Sequence, residues 1–387
     1  MIQLAGRLEG LSSSLTLEMT SRANALRKKG VDVINFAAGE LDFPTPAYIR
    51  QATVKALEEG FTRYTPATGI PELKEAVAKK FKQDNQVSYD PSQVLISCGA
   101  KHSIYNLLQV LCNPGDEVIF GCPYWVSYPE MVRLAGAVPV WASTEGASFR
   151  LTRPLIEKAL TQRTKALILN SPSNPAGSVY TREELEAIAD LAVSKNLFVI
   201  SDEIYERILY DGKKHYSIAS LGSEIYKRTA TVNGVSKTYA MTGFRIGYFG
   251  APLDVTKAAG NIQSHSTSNP TSISQKAALA ALQGDPAEID WMGAELTKRR
   301  DRMYDGLMRI PGLRCPKPEG AFYAFCEIAS FKRPAMEIGS ALLDEVHVAV
   351  VPGEGFGTDR YLRLSFSVSL EMIDEGLRRI ESWVKKQ

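Results

Sequence analysis

The segment 231–248 holds a lysine and an arginine in a setting that suits chemistry on an aldehyde. Lys237 follows the apolar run Ala230–Asn233 among small and apolar residues, and Arg245 comes eight residues later. A lysine at the end of a core strand is partly removed from water, which lowers its pKa and favours the neutral, nucleophilic amine. Such an amine can form a Schiff base with an aldehyde. The alternative is an ordinary surface lysine that extends its charged end into solvent.

A carboxylate and a phenol follow a second apolar run. Asp202 comes directly after Phe198–Ser201, and Tyr205 stands three residues further on. Ligands of open α/β sheets bind beyond the carboxyl ends of the strands. Asp202 is therefore a candidate to hold a protonated ring nitrogen, and Tyr205 a candidate to hydrogen-bond a ring hydroxyl. The alternative is that Asp202 caps a helix and that Tyr205 belongs to the core.

Two turns add an amide and an anion site. Asn174 lies in the turn 170–177, which is rich in Asn, Ser and Pro and follows the run Ala166–Leu169. The segment Gly99-Ala100-Lys101, which begins with two small residues, leads from another apolar run into a helical pattern. Backbone N–H groups at such a helix start bind anions. Arg245 is the candidate partner for a phosphate there. Both segments are also compatible with ordinary turns.

An aromatic ring and a second arginine complete the set. Trp125 follows the run Glu117–Phe120 and offers a flat face for stacking on a ring, with core packing as the alternative. Arg363 alternates with apolar neighbours and is suited to bind a carboxylate in bidentate fashion, with a surface ion pair as the alternative. Together these groups are the parts needed to hold pyridoxal phosphate and the carboxylate of an amino acid.

The elements that must position these residues alternate between short apolar runs and helical patterns. The runs are Val94–Ser97, Glu117–Phe120, Val138–Trp141, Ala166–Leu169, Phe198–Ser201, Ala230–Asn233 and Ile246–Gly250. Helical periods occupy Ser103–Leu111 and Arg182–Lys195, and Thr181 with Glu184 predicts a capping box at the start of the second. The alternation predicts an α/β fold with a largely parallel sheet, and the apolar character of the strands predicts helices on both of its faces.

The pattern changes after residue 286. A charged amphipathic stretch over 287–309 precedes strand-like runs at 321–326, 348–351 and 361–366, with helical patterns at 335–345 and at the C-terminus. We expect a large domain over 47–287 that binds the cofactor. Residues 1–46 and 288–387 are expected to form a smaller α+β domain, because the first residues precede the α/β alternation.

Composition excludes several classes of protein. The 387 residues contain 45 Lys and Arg against 43 Asp and Glu, so the net charge of +2 gives no reason to expect a nucleic-acid or membrane partner. No apolar run approaches the roughly 18 residues of a membrane-spanning helix, and no signal peptide is evident. The five cysteines are odd in number and form no CxxC pair. We therefore expect free thiols and a cytoplasmic location, and no metal site.

Taken together, the sequence resembles the class I aminotransferases, pyridoxal-phosphate enzymes of fold type I, and within them the bacterial aspartate aminotransferase branch. The resemblance covers nearly the whole chain, from Ala38-Gly39-Glu40 through Arg63-Tyr64-Thr-Pro-Ala-Thr-Gly to Val351-Pro-Gly-Glu-Gly-Phe and Arg363-Leu-Ser-Phe. It is carried most specifically by the order and spacing of six residues: Asn174, Asp202, Tyr205, Lys237, Arg245 and Arg363.

The resemblance implies a role for each candidate residue. It implies that Lys237 forms the Schiff base and moves the proton between the substrate Cα and the cofactor, and that Asp202 pairs with the ring nitrogen. It implies that Tyr205 hydrogen-bonds the ring oxygen and so adjusts the pKa of the Schiff base. The remaining cofactor contacts that it implies are Gly99, Ala100, Lys101, Trp125, Asn174, Ser236 and Arg245, with Tyr64 contributed by the neighbouring subunit of a homodimer. The substrate contacts that it implies are Gly39, Trp125, Asn174 and Arg363 for the α-carboxylate end, and Lys101, Ser14 and Thr16 for a side-chain carboxylate.

The implied activity is a ping-pong transamination between an amino acid, L-aspartate first among the candidates, and 2-oxoglutarate. An aromatic or prephenate aminotransferase and a β-elimination lyase remain alternatives, because the cofactor site is common to all of them. A non-catalytic relative is disfavoured by the intact Lys237, and no nucleotide-binding glycine motif follows an early strand. Two departures from the family pattern, Leu41 beside Gly39 and His102 after Lys101, leave the shape of the substrate pocket open.

Overall fold

The computed structural model describes residues 4–8 and 10–387, so residues 1–3 and 9 of the predicted small domain lie outside it. In the described part the strands are β1 Ile34–Asn35, β2 Val94–Ser97, β3 Glu117–Cys122, β4 Val138–Ser143, β5 Thr164–Asn170, β6 Phe198–Asp202, β7 Thr229–Gly234, β8 Gly247–Gly250, β9 Tyr323–Glu327, β10 Val348–Ala349, β11 Val351–Pro352 and β12 Tyr361–Ser365. The helices are α1 Leu15–Lys28, α2 Ala47–Glu58, α3 Pro71–Asp84, α4 Ala100–Leu111, α5 Ser127–Leu134, α6 Arg153–Ala159, α7 Arg182–Ser194, α8 Ser223–Tyr226, α9 Leu253–Ser266, α10 Ser272–Gln283, α11 Ala287–Arg309, α12 Ala335–Val346 and α13 Leu370–Val384.

The central sheet has seven strands in the order β2-β8-β7-β6-β5-β3-β4. Strands β2 to β7 run in one direction, and β8 is antiparallel to both of its neighbours. A parallel partner needs a crossover, which helices such as α7 supply, whereas residues 235–246 between β7 and β8 contain no α-helix. The predicted capping box is present, because Thr181 accepts from the N–H of Glu184 and Glu184 accepts from the N–H of Thr181.

The sheet is covered on both faces along most of its width, as the apolar strands predict. Every residue of β2, β7 and β8 is buried. The exception is the edge strand β4, where the side chains of Val138 and Trp141 are 41% and 47% exposed in the single chain. Its apolar sequence therefore overstated its burial, whereas β2 at the other edge of the sheet is fully buried.

The C-terminal part builds two smaller sheets. Strands β11, β12 and β9 pair antiparallel, and β1 pairs in parallel with β10 through Ile34 opposite Val348. The apolar residues Met19 and Ala23 of α1 pack against Leu343 of α12, so the N-terminal segment folds onto the C-terminal part. The division into domains 47–287 and 1–46 with 288–387 stays a prediction. The seven-stranded sheet lies within the first range and both smaller sheets lie within the second.

A shared apolar cluster joins the central sheet to this C-terminal part. Tyr205, Ile208 and Tyr210, just beyond β6, pack in one cluster with Phe322 and Phe366. All five cysteines are unbridged; Cys98 and Cys112 are half-buried and the other three are buried. Among the helices of the described residues, none combines the length and the apolar character that a bilayer crossing requires.

Candidate active site

The carboxyl ends of five parallel strands meet at one edge of the central sheet, where a cavity of about 380 Å³ opens. Asn170 at the end of β5 lies beside Asp202 at the end of β6 in the strand register. Nearly all of the candidate residues line this cavity: Ser14, Thr16, Gly39, Ala100, Lys101, Trp125, Asn174, Asp202, Tyr205, Ser236, Lys237, Arg245 and Arg363. The residues that follow strands of the central sheet meet because parallel strands present the same end to the same edge. Ser14, Thr16 and Gly39 come from the N-terminal segment, and Arg363 comes from β12.

Lys237 lies in the segment between β7 and β8, and its amine faces the cavity. Its Nζ donates to the carbonyl oxygen of Gly39 over 2.5 Å and lies 5.8 Å from the centre of the Tyr205 ring. Burial, and then the nearby charge of Arg363, lower the pKa of Lys237 to about 8. A larger share of the amine is therefore neutral near physiological pH than for an exposed lysine.

Asp202 is a buried carboxylate at the end of β6, not a solvated helix cap. Its Oδ2 accepts a hydrogen bond of 2.7 Å from the hydroxyl of Tyr128. Burial raises the pKa of Asp202 to about 6, while the Tyr128 hydroxyl and the charge of Lys237 act in the opposite direction. Asp202 is therefore an ionised group above about pH 6 and a strong partner for a cation brought into the cavity.

Tyr205 meets a second phenol across the apolar cluster. Its hydroxyl lies 2.9 Å from that of Tyr323, and both side chains are buried. Burial, together with the neighbouring Tyr323, holds the pKa of Tyr205 well above its ordinary value. Both groups therefore remain neutral hydroxyls that can donate or accept hydrogen bonds at physiological pH.

Arg363 is almost completely buried on β12, with 1% of its surface exposed. Its Nη1 donates to Oδ1 of Asn174 over 3.0 Å, and its Nη2 donates to the carbonyl oxygen of Ala37 over 2.8 Å. The guanidinium lies 4.3 Å from the ring centre of Tyr323. Its Nε has no partner among the described residues, so one buried donor of this cation is left for a ligand.

The turn that carries Asn174 is held by Asn170. The side-chain oxygen of Asn170 accepts from the N–H of Asn174 over 2.8 Å, and its amide donates to the carbonyl of Asp202 over 3.0 Å. The peptide bonds before Pro172 and Pro175 are cis. Because Oδ1 of Asn174 is used by Arg363, its amide N–H groups remain to donate into the cavity.

The start of α4 and Arg245 form the predicted anion site. Gly99 precedes α4 with φ +90°, and a Cβ at this position would lie 2.5 Å from Nη2 of Arg245. Glycine is therefore required for both the left-handed backbone and the approach of the guanidinium. A Cβ on Gly247 would collide with the backbone of Gly99 and Ala100. Glycine at both positions lets the helix start, β8 and Arg245 pack together.

Lys101 lies in the first turn of α4 and lines the cavity. Its Nζ is 5.0 Å from the centre of the Trp125 ring, and Ser14 and Thr16 line the same cavity. Burial, and then the charge of Arg245, lower the pKa of Lys101. Ser14 also caps α1 by accepting from the N–H of Leu17.

Four residues named from the sequence do not line the cavity: Gly99, which precedes α4 beside Arg245, and Tyr64, Leu41 and His102. Tyr64 is 90% exposed in the single chain. Leu41 packs against the apolar cluster around Tyr205. His102 accepts from the N–H of Cys98 through Nδ1 over 3.3 Å, which turns its ring to the strand–helix junction.

Sequence reasoning missed two phenols and one amide. Tyr128, Tyr323 and Asn170 contact Asp202, Tyr205 and Asn174 respectively. Asn170 stands in the turn that the sequence singled out, so its position after β5 was a usable signal. Tyr128 and Tyr323 carry no such signal, because each lies in an apolar pattern that is typical of core residues.

Comparison with known proteins identifies the family of the chain. Residues 31–380 match the family described as aminotransferase class I and II. The chain belongs to this family. The predicted fold class and enzyme class are thereby confirmed.

Individual relatives are similar over their whole length. The chain is 47% identical to an aspartate aminotransferase of Geobacillus stearothermophilus, with 99% of both chains covered. It is 43% identical to a probable aspartate/prephenate aminotransferase of Aquifex aeolicus, with 98% of both covered. Among solved structures, the aspartate aminotransferase of Thermus thermophilus with maleate superposes with a TM-score of 0.95 at 41% identity, covering 99% of this chain and 100% of that one.

Proposed function

We propose that this protein is a pyridoxal-phosphate-dependent aspartate aminotransferase, which transfers an amino group between L-aspartate and 2-oxoglutarate by ping-pong transamination. The observation that carries the proposal is the convergence of three groups in one cavity. These are the amine of Lys237 with a pKa of about 8, the buried carboxylate of Asp202, and the buried guanidinium of Arg363 with its unpartnered Nε.

The donor set of the cavity fits pyridoxal phosphate. Arg245 and the N–H groups after Gly99 suit the phosphate, and Ser236 lines the same cavity. The carboxylate of Asp202 suits the ring nitrogen, and the hydroxyl of Tyr205 and the amide of Asn174 suit the ring oxygen. Trp125 lines the cavity and offers a face for stacking. When bound, the cofactor supplies an aldehyde for the amine and a ring that draws electrons from the substrate Cα.

Lys237 would act first as a nucleophile and then as a proton carrier. A pKa of about 8 leaves part of its amine unprotonated at neutral pH, which both roles require. The carbonyl of Gly39 orients the amine from one side. Asp202, ionised above about pH 6, would hold a proton on the ring nitrogen through its negative charge.

The charges that line the cavity favour ligands with several negative charges. Among the described residues, four cationic side chains line it, Lys101, Lys237, Arg245 and Arg363, against the two carboxylates of Glu40 and Asp202. In this proposal Arg245 binds the phosphate and Arg363 binds the α-carboxylate. Lys101 is then available, together with the hydroxyls of Ser14 and Thr16, to bind a second carboxylate. This division supports a dicarboxylic amino acid as the substrate.

A second candidate activity is the amination of prephenate or an aromatic oxo acid. The relative from Aquifex aeolicus is named for aspartate and prephenate. In this chain, apolar side chains of Leu17 and Val126 line the cavity together with Trp125. These surfaces suit a ring in place of a short acidic side chain.

We further propose that the protein is a homodimer in which Tyr64 of one subunit contacts the phosphate bound by the other. Its exposed position outside the cavity of its own chain supports this arrangement. The phenol would then be buried only in the assembled dimer. Sedimentation of the purified protein tests the oligomeric state. The loss of cofactor affinity on Tyr64→Phe, with the dimer intact, tests the contact.

The central experiment is a donor–acceptor screen on protein loaded with pyridoxal phosphate. We expect turnover of aspartate with 2-oxoglutarate, and borohydride followed by peptide mapping should locate the cofactor on Lys237. Lys237→Ala should fold normally and lose turnover by about 100-fold to 10,000-fold or more. Near-normal transamination by that variant would contradict the assignment. Release of pyruvate without an oxo-acid acceptor would instead indicate β-elimination.

A further inference from the structure

A closed polar cluster lies behind the segment that carries Asp202 and Tyr205. Asp202 and Tyr205 face the cavity, whereas Glu203 and Glu206 turn away from it into the protein. There they meet Lys80 and Asn85, from α3 and its C-terminal cap, and His215. None of these five side chains lines the cavity, and the proposed mechanism does not use them.

The cluster is closely bonded around its two carboxylates. Oε2 of Glu203 lies 2.8 Å from Nε2 of His215 and accepts from the amide of Asn85 over 2.8 Å. Its other oxygen accepts from the hydroxyls of Ser201 and Ser217, each over 2.8 Å. All the hydrogen-bonding capacity of the Glu203 carboxylate is thus taken up within the protein.

Glu206 completes the cluster through Lys80. The carboxylate of Glu206 is in direct contact with the ammonium of Lys80 and accepts from Asn85 over 2.6 Å. Lys80 also donates to Oδ1 of Asn85 over 2.6 Å. Lys80 and Glu206 are 9% and 6% exposed, so this pair is largely shielded from solvent. A carboxylate oxygen of Glu203, a carboxylate oxygen of Glu206 and a ring nitrogen of His215 lie within 4.8 Å of one another. The ammonium of Lys80 supplies positive charge next to this group.

The charges of the cluster balance only when His215 is protonated. Two carboxylates face one ammonium, and buried carboxylates without counter-charges are strongly disfavoured. Burial acts to lower the pKa of His215, but Glu203 outweighs it and raises that pKa above its ordinary value. Burial acts to raise the pKa of Glu203, but His215 and the hydroxyl donors outweigh it and hold that pKa below its ordinary value.

We propose that the cluster of Lys80, Asn85, Glu203, Glu206 and His215 is a charge-balanced positioning unit. It fixes the segment between Asp202 and Tyr205 and sets the electrostatic potential at the ring system that these two residues hold. The link is direct, because Glu203 follows Asp202 in the chain and its negative charge acts to raise the pKa of Asp202. The inference rests on the proposed function, since it concerns the same cofactor.

The test is a double-mutant cycle on the protein loaded with pyridoxal phosphate, in which two charges of the cluster are removed singly and together. The pH midpoint of the visible absorption band of the bound cofactor is measured for wild type, His215→Gln, Glu203→Gln and the double variant. Removing the positive charge of His215 should raise the midpoint by roughly 0.5–1 pH unit. Removing the negative charge of Glu203 should lower it by a smaller amount, because His215 then loses the carboxylate that raises its pKa. The double variant should return close to wild type.

The shifts report the two removed charges only if the neighbouring titratable groups keep their protonation states in the variants. The ones that face the cluster from outside its five residues are Asp84, Tyr89, Asp202, Arg207, Tyr239 and Tyr248. Glu224→Gln removes an exposed carboxylate that pairs with Lys227, and it serves as the matched control with an unchanged midpoint. Cofactor dissociation and thermal unfolding, measured in parallel, report any general loosening of the fold.

The outcomes separate the two proposals. A wild-type protein that takes up no cofactor overturns the proposed function and this inference with it. A wild type that titrates normally, with single variants unshifted or shifted in the same direction, overturns the positioning unit alone. If the first variants fail to fold, Lys80→Met and Glu206→Gln give the same comparison from the other end of the cluster, again with shifts of opposite sign expected.

Discussion

Nη1 of Arg363 donates to Oδ1 of Asn174 over 3.0 Å, although 189 positions separate the two residues in the chain. Arg363 lies on β12 of the small antiparallel sheet, and Asn174 lies in the turn after β5 of the central sheet. The bond therefore connects the two parts of the molecule at the cavity. It also orients the asparagine so that its amide can serve a ligand while the arginine keeps a free donor.

Arg363→Ala should lower kcat/KM for every substrate that carries an α-carboxylate. The variant removes a buried cation and leaves Oδ1 of Asn174 and the carbonyl of Ala37 without their donor. We expect kcat/KM to fall by about 100-fold or more. Arg363 and the bound α-carboxylate would form a buried charged pair, and truncating one member of such a pair costs several kcal/mol. Steady-state kinetics with aspartate, glutamate and tyrosine measure it. An unchanged kcat/KM would exclude Arg363 from carboxylate binding. Arg363→Lys should be intermediate, since it keeps the charge without the planar fork.

Lys101→Ala should distinguish acidic from aromatic substrates. If Lys101 binds a side-chain carboxylate, kcat/KM for aspartate and glutamate should fall by about 10-fold to 100-fold, as for other hydrogen bonds to charged groups. Tyrosine and phenylalanine should be nearly unaffected. Lys79→Ala on the exposed face of α3 is the matched control. An equal loss for all four amino acids would remove the distal role from Lys101.

The attachment of pyridoxal phosphate to the apoprotein should depend on pH with a midpoint near 8. Burial lowers the pKa of Lys237 to about 8, so the fraction of the amine that is neutral and reactive increases as the pH rises through that value. Between pH 6 and pH 8 the neutral fraction increases about fifty-fold for a pKa near 8. Stopped-flow absorbance follows the reaction, with a blocked lysine amino acid as the reference. A rate that keeps rising in parallel with the reference up to pH 10 would contradict a lowered pKa.

The affinity for pyridoxal phosphate should fall as the solution is acidified, and in Tyr128→Phe this fall should occur at a higher pH than in the wild type. The Tyr128 hydroxyl favours the ionised form of Asp202, whose pKa of about 6 is already raised by burial. Without that bond the pKa of Asp202 should rise further, by roughly 0.5–1 unit. The carboxylate is then lost at a higher pH as the solution is acidified. Equilibrium binding of pyridoxal phosphate between pH 5 and 8 measures the shift. Tyr226→Phe is the control, because that hydroxyl bonds Ser88 and Gln93 instead.

The helices and strands that carry the site could be predicted closely from local pattern. The amphipathic stretch 287–309 is a single helix with those bounds, and Asp202 and Lys237 follow the strands on which the prediction relied. The exposed β4 and the antiparallel β8 were not predicted. Local apolar character does not reveal which elements cover the faces of a strand, and strand direction depends on the connection between strands.

The sequence by itself determined the residue types of the site and the strand ends that carry them, because side-chain chemistry and the period of apolar residues are local properties. It also determined the family, through the order and spacing of six residues from Asn174 to Arg363. Only the tertiary structure decided that Tyr128 bonds Asp202, that Arg363 reaches Asn174, and that Glu203 turns away from the cavity to meet His215. The first two contacts join residues far apart in the chain, and the geometry of all three depends on how the sheets and helices pack against each other.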